Sequence, residues 1–130
     1  MAPQLPGTIL VIDDEDSFVR ALTRLLRRDG YRVDTARNGR RALTQLQARP
    51  YDVILCDLQM PDVDGPAFYA LLTQQYPALC QRVIFLTGNT RGAASRTFLE
   101  QSGRPWLRKP SPIAAIRRAI QDVLQASPPA

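Results

Sequence analysis

The sequence predicts a doubly wound α/β fold, a parallel sheet covered by helices on both faces. Three observations lead there: short apolar runs rich in β-branched residues, helix-length segments between them whose apolar residues recur every three or four positions, and Gly or Pro at the junctions. At 130 residues the chain suffices for one domain, since globular domains commonly take about 100 to 200 residues. Its 45% apolar content provides a core that needs neither disulfide staples nor a structural metal.

The elements follow in order. Ile9-Leu10-Val11-Ile12 is a strand covered on both faces, because no polar residue interrupts it. A helix comes next, with Phe18, Leu22, Leu25 and Leu26 on one side and Arg20, Arg24, Arg27 and Arg28 on the other. Asp16 or Ser17 is its expected cap and Gly30 its stop. Tyr31 to Ala36 mixes polar and apolar residues, as an edge strand does, and Ala42, Leu43 and Leu46 mark the second helix. Val53-Ile54-Leu55-Cys56 is a second buried strand. Gly65-Pro66 opens a helix carrying Phe68, Leu71 and Leu72. Val83-Ile84-Phe85-Leu86 is a third buried strand, followed by a helix with Phe98 and Leu99 that Gly103 stops. Trp106 to Arg108 is another edge. Ser111-Pro112 supplies a cap and first-turn proline for the last helix, which carries Ile113, Ile116, Ile120, Val123 and Leu124.

Right-handed crossovers, with strands one, three and four buried and two and five exposed, favour the strand order 2-1-3-4-5. This is the single (βα)5 flavodoxin-like sheet, whose ligand crevice lies at the carboxyl ends of the strands, between the first and third. The domain is expected over residues 8–125, with a flexible tail over 1–7 and a tail or linker stub over 126–130.

Composition removes several function classes. There is no histidine, and Cys56 and Cys80 lack the close spacing of a zinc or redox pair. No apolar run approaches the ~20 residues of a membrane span, and no leader opens the chain. A cytoplasmic protein without membrane contact is expected. The net charge of +5 is unevenly placed, with nine arginines against Asp29 and Asp34 over residues 17–50. Those arginines read as a solvated helix face or a docking face for an acidic partner. Direct nucleic-acid binding is not expected, because no aromatics interleave the basic stretch. Lys109 is the only lysine, beside a proline at a strand end, which points to a role that a guanidinium cannot fill.

The chemistry gathers just after the apolar runs. Asp13-Asp14-Glu15-Asp16 follows the first, Asp57 the second and Thr87-Gly88 the third, while Lys109-Pro110 ends the fifth strand. Asp13, Asp14 and Asp57 would repel one another, at about 4 kcal/mol for a pair ~4 Å apart at an effective dielectric near 20. A hard divalent cation offsets that repulsion. Mg²⁺ fits, because it takes one or two carboxylates plus phosphate oxygens and keeps several waters. The set suits phosphoryl transfer to a carboxylate: Asp57 attacks phosphorus, while Lys109, the Thr87 hydroxyl and backbone N–H groups take up the equatorial charge.

Asp13-Asp14, Asp57 in DVILCDLQMPDVDG, Thr87-Gly88 and Lys109-Pro110 together resemble the receiver domain of two-component response regulators, over about residues 8–125. The resemblance implies that Asp57 is the phosphoacceptor. It implies that Asp14, Asp57 and the backbone carbonyl of Gln59 bind Mg²⁺, that Asp13 holds a metal-bound water, and that Thr87 and Lys109 contact the phosphoryl group. The donor implied is a phosphohistidine on a sensor histidine kinase or histidine phosphotransfer protein. Phosphorylation is then expected to draw in Thr87, let Trp106 move, and change the face formed by the fourth helix, fifth strand and fifth helix. Gln59 and Asn89, two positions beyond Asp57 and Thr87, would tune phosphoryl lifetime. A cis Lys109-Pro110 bond is implied as well.

Three rivals share parts of this pattern. A flavodoxin-like cofactor binder needs a Ser/Thr/Gly-rich phosphate loop where this chain has aspartates. A haloacid-dehalogenase-type phosphatase needs its nucleophile in a D-x-D after the first strand. A degenerate receiver that only binds protein would lack one of the acceptor, acid-pair, hydroxyl or lysine positions. The expected protein is therefore not an enzyme in the ordinary sense, though it would phosphorylate itself from a donor and lose the group again. Its output is expected through a downstream protein or a linked output domain outside this chain. A weak homodimer through the fourth-helix, fifth-strand and fifth-helix face is conceivable.

Overall fold

The computed structural model describes residues 7–88 and 92–126. A five-stranded sheet runs in the order β2-β1-β3-β4-β5, all neighbours parallel, as the sequence predicts. Its strands are β1 (Thr8–Ile12), β2 (Arg32–Ala36), β3 (Val53–Asp57), β4 (Val83–Thr87) and β5 (Trp106–Arg108). The helices are α1 (Asp16–Arg28), α2 (Gly39–Ala48), α3 (Gly65–Gln75), α4 (Ala93–Ser102) and α5 (Ile113–Ala126).

Side chains alternate across each strand, so each face of the sheet collects its own core. Ile9, Val11, Leu55 and Ile84 meet Leu22 and Leu26 of α1 and Ile116, Ile120 and Val123 of α5. Leu10, Ile12, Ile54 and Phe85 meet Ala42 and Leu46 of α2, Phe68 and Leu72 of α3, and Leu99 of α4. Both cores close, which is why β1, β3 and β4 carry unbroken apolar runs. Strand β2 lies at a sheet edge, and its outward carbonyls are occupied: Arg27 Nη2 donates to Val33 O at 2.8 Å and Gln45 Nε2 to Thr35 O at 3.0 Å. Such covering blunts edge-to-edge pairing with another chain.

Several local details depart from the sequence reading. Asp16 is the first helical residue of α1 and Glu15 its cap, with no side-chain cap bond, and the Asp13 carboxylate accepts the Glu15 N–H at 2.9 Å. Ser111 does not cap α5; its hydroxyl donates to Arg108 O, and the Pro112 carbonyl receives the N–H of Ile116 at 3.3 Å. A 3₁₀ turn over Pro77–Arg82 buries Cys80, which sequence places in a polar stretch. At the domain limits, Gly7 O accepts from Arg32 N at 3.0 Å and α5 includes Ala126. Residues 1–6 and 127–130 of the expected tails lie outside the described residues, as do Asn89 and Arg91. Among the described residues no helix is long and apolar enough to cross a membrane.

The turn from β3 into α3 depends on a close approach. A Cβ on Gly65 would stand 2.8 Å from Leu58 Cα and 2.9 Å from Asp57 O, both backbone atoms that cannot swing aside. Asp64 caps the helix through its side chain, 3.0 Å from Ala67 N. Gly65→Ala should therefore destabilise the domain by about 1–3 kcal/mol through overpacking. A urea titration showing an unshifted midpoint would contradict this.

Candidate functional site

The carboxyl ends of β1 and β3 are neighbours, with Ile12 opposite Cys56, so the residues that follow, Asp13 and Asp57, must stand side by side. Asp13 is buried, as is Asp57, while Asp14 is exposed. One carboxylate oxygen from each of the three lies within 4.8 Å of the others. This is the cluster that the sequence anticipates, with two of its members out of water and the third at the rim.

Lys109 reaches the cluster from the end of β5. Its Nζ lies 2.5 Å from Asp13 Oδ2, 3.5 Å from Asp57 Oδ2 and 3.6 Å from Glu15 Oε1. The stem is anchored where the Lys109 N–H donates to Thr87 O at 2.8 Å, and the Lys109-Pro110 bond is cis. Burial alone would lower the ammonium's pKa, but the hydrogen bond to Asp13 and the charges of Asp57, Asp13 and Glu15 outweigh it and hold it above its usual value. Lys109 is thus a fixed positive charge.

Asp57 is pushed the other way. Burial and the Asp13 charge raise its carboxyl to about 6, against the lowering effects of Lys109 and of the Gln59 N–H, which donates to Asp57 Oδ1 at 3.4 Å. One ammonium does not neutralise three carboxylates, so the cluster retains an uncompensated negative charge that suits a hard cation held by oxygen ligands. Beside it, the Cys56 thiol is fully buried and held protonated by burial first and then by the Asp57 charge. Its Sγ donates to Asp57 O at 3.3 Å.

The remaining expected residues divide. Thr87 ends β4 fully buried, in register with Arg108. The Gln59 side chain is exposed in the loop just after Asp57. Trp106 lies on β5 opposite Phe85 and is 42% exposed, so its indole stands outside the core in this structure. The same side of the sheet is filled by Tyr69, Phe85 and Phe98, which pack edge to face with centroids 5.2 to 5.9 Å apart. Sequence reasoning did not find Phe18, whose ring lies 4.5 Å from Lys109 Nζ. Helical spacing identifies it only as apolar, and nothing in the sequence places it beside a residue 91 positions away.

The acidic cluster thus lies at the switch between the first and third strands of a doubly wound parallel sheet, where such folds place their ligand crevice. The chain belongs to the response regulator receiver domain family, whose family model matches residues 9–121. Among curated proteins it is similar to the transcriptional regulatory protein GlrR of Escherichia coli K12, 30% identical over 125 residues, covering 96% of this chain and 28% of that protein. It is likewise similar to the DNA-binding transcriptional regulator NtrC of Proteus hauseri, 32% identical over 118 residues, covering 88% of this chain and 24% of that one. The chain thus spans about a quarter of the length of these relatives. Among solved structures, the signal receiver domain of a signal transduction histidine kinase from Syntrophus aciditrophicus superposes with a TM-score of 0.85 at 27% identity, covering 95% and 94% of the two chains. The chemotaxis protein CheY4 of Vibrio cholerae gives 0.81 at 29% identity, covering 91% and 98%.

The raised Asp57 carboxyl has a consequence for stability. A folded pKa near 6 exceeds the unfolded value near 3.9, so the fold binds this proton more tightly than the unfolded chain does. The associated stability is present at pH below about 4 and is lost as pH rises through about 6. In chelator at pH 7.5, Asp57→Asn should therefore be more stable than the parent by about 1–2 kcal/mol after allowance for solvent screening, and unfold at a higher temperature. The difference should narrow as the pH falls from 6 toward 4. Thermal melts showing a less stable variant at neutral pH would contradict this account.

Proposed function

We propose that the chain is a phosphoacceptor receiver that takes a phosphoryl group onto Asp57 from a phosphohistidine on a sensor histidine kinase or histidine phosphotransfer protein. The observation that carries this reading is the convergence of Asp13, Asp14 and Asp57 within 4.8 Å, with the lone ammonium of Lys109 3.5 Å from Asp57. These 130 residues contain no histidine, so the donor histidine lies outside them.

Transfer forms a bond between an Asp57 carboxylate oxygen and phosphorus as the bond from phosphorus to the donor imidazole nitrogen breaks. That nitrogen then takes up a proton, and the product is an aspartyl phosphate. Asp57 acts as the nucleophile and needs its carboxylate ionised. Lys109 faces the charge that develops on the phosphoryl oxygens, and the Thr87 hydroxyl is the second group for those oxygens. Asp14, Asp57 and the Gln59 carbonyl are the residues to hold Mg²⁺, with Asp13 acting through a water. When bound, Mg²⁺ neutralises the carboxylates and the phosphoryl charge at once. By the family resemblance, Gln59 and Asn89 are the residues that tune how long the phosphoryl group lasts.

The response is a shift between two conformations of the α4-β5-α5 face, with Thr87 and Trp106 as its moving parts. The position of Lys109 N on Thr87 O, and of Trp106 opposite Phe85, supports a mechanical link from the site to β5. Output passes to a downstream protein or to an output domain linked outside this chain, as in the longer transcriptional regulators that it resembles.

Incubation with Mg²⁺ and a small-molecule phosphodonor should add the mass of one phosphoryl group to the protein and none to Asp57→Asn; label on the Asn variant would move the acceptor elsewhere. Under the same conditions the emission of Trp106, the sole tryptophan, should change on phosphorylation and return as the group is lost. An emission that stays constant while the mass changes would remove Trp106 from the switch.

A further inference from the structure

Lys109 is approached by more than carboxylates. The ring of Phe18, in the first turn and a half of α1, presents itself to Nζ at 4.5 Å from the centroid. That lies inside the ~6 Å range of a cation–π contact. Phe18 is half-buried and packs at the margin of the core shared by α1 and α5, so the ring is held from behind. We propose that Phe18 is a positioning residue for Lys109, its ring seating the ammonium at the acidic rim.

The physical need arises from the stem and from the charges around it. A lysine side chain has four rotatable carbons and loses much rotamer freedom when fixed. The carboxylates of Asp13, Asp57 and Glu15 draw Nζ in three directions, at 2.5, 3.5 and 3.6 Å, and Glu15 is largely in water. Their pull also changes in the course of the proposed reaction, since phosphorylation of Asp57 replaces its carboxylate charge with the larger charge of the phosphoryl oxygens and a divalent cation competes for the other carboxylates. The ring quadrupole carries no net charge and keeps its attraction throughout. It therefore supplies the constant part of the force on Nζ. A guanidinium is a broader group, so the compact ammonium suits a seat bounded by a ring and a carboxylate oxygen 2.5 Å away.

The inference rests on the phosphoacceptor reading for its role, though not for its geometry, and the experiment separates the two. Because Lys109 is the only lysine, its side-chain methylene signals in an NMR spectrum need no assignment by mutation. In the metal-free protein the ring should displace them upfield. Phe18→Leu should return them to free-lysine positions, and Phe18→Tyr should leave them displaced. With Mg²⁺ and a small phosphodonor, Phe18→Leu should be phosphorylated about three- to thirtyfold more slowly, the range of a partly desolvated cation–π contact, and Phe18→Tyr near the parent rate. Phe18→Met is a second ring-free variant should the Leu variant not fold, with the same outcomes expected. Lys109 signals that do not move in the ring-free variant, or a ring-free variant that labels as fast as the parent, would overturn the proposal. A parent protein that takes no phosphoryl group would refute the phosphoacceptor reading, while the Lys109 signals would still decide whether Phe18 seats the ammonium.

Discussion

Two buried carboxylates side by side are the constraint around which this molecule is organised. Adjacent parallel strands lie about 4.8 Å apart, so aspartates that follow matched positions of β1 and β3 cannot separate without breaking the sheet. Their mutual repulsion is retained because the sheet is stabilised elsewhere, by an apolar core on each face. The cost shows locally, in the raised carboxyl of Asp57 and in the tight hold of Asp13 on Lys109. A site under such tension favours positive charge.

The surrounding backbone holds those carboxylates in place. Gly65 lets α3 begin directly against Leu58 and Asp57, which fixes the loop that carries Gln59. Lys109 is tied to Thr87 through the backbone as well as to Asp13 through its charge, so β4 and β5 share a boundary condition at the rim. The arginines of residues 17–50 stand apart: they are exposed, and Arg37 and Arg40 pair with the exposed acids Asp16 and Asp62, at 3.8 and 2.9 Å. Such pairs contribute little to stability.

How much of this could be read from the sequence depended on the range of the interaction concerned. The apolar runs of β1, β3 and β4 report burial on both faces, which is a local signal, and with the edge character of β2 and β5 they determine the strand order. The acids, Thr87 and Lys109 follow because a parallel sheet puts strand ends on one rim. Propensity offers Asp16 or Ser17, and Ser111, as caps, but cannot show that Glu15 takes the cap position of α1 or that the Ser111 hydroxyl turns to Arg108 O. Cys80 has polar sequence neighbours yet is buried, because the 3₁₀ turn folds it under α3. Phe18 is legible in the sequence as apolar and Gly65 as a helix opener. Their closeness to Lys109 Nζ and Leu58 Cα belongs to the tertiary structure.

The single lysine in an arginine-rich chain now has a physical account. Nζ must satisfy Asp13 at 2.5 Å, remain within 3.5 Å of Asp57 and lie against the Phe18 ring. A guanidinium forks, and its best partner is one carboxylate held in two parallel bonds. It would lock onto Asp13 or Asp57 and could not be shared between them. An ammonium has three donors and no plane, so it can redistribute among neighbouring oxygens as their charges change. That freedom to be shared, bounded by the ring and by the backbone bond to Thr87, is what distinguishes the one lysine position from the arginine positions of the surface.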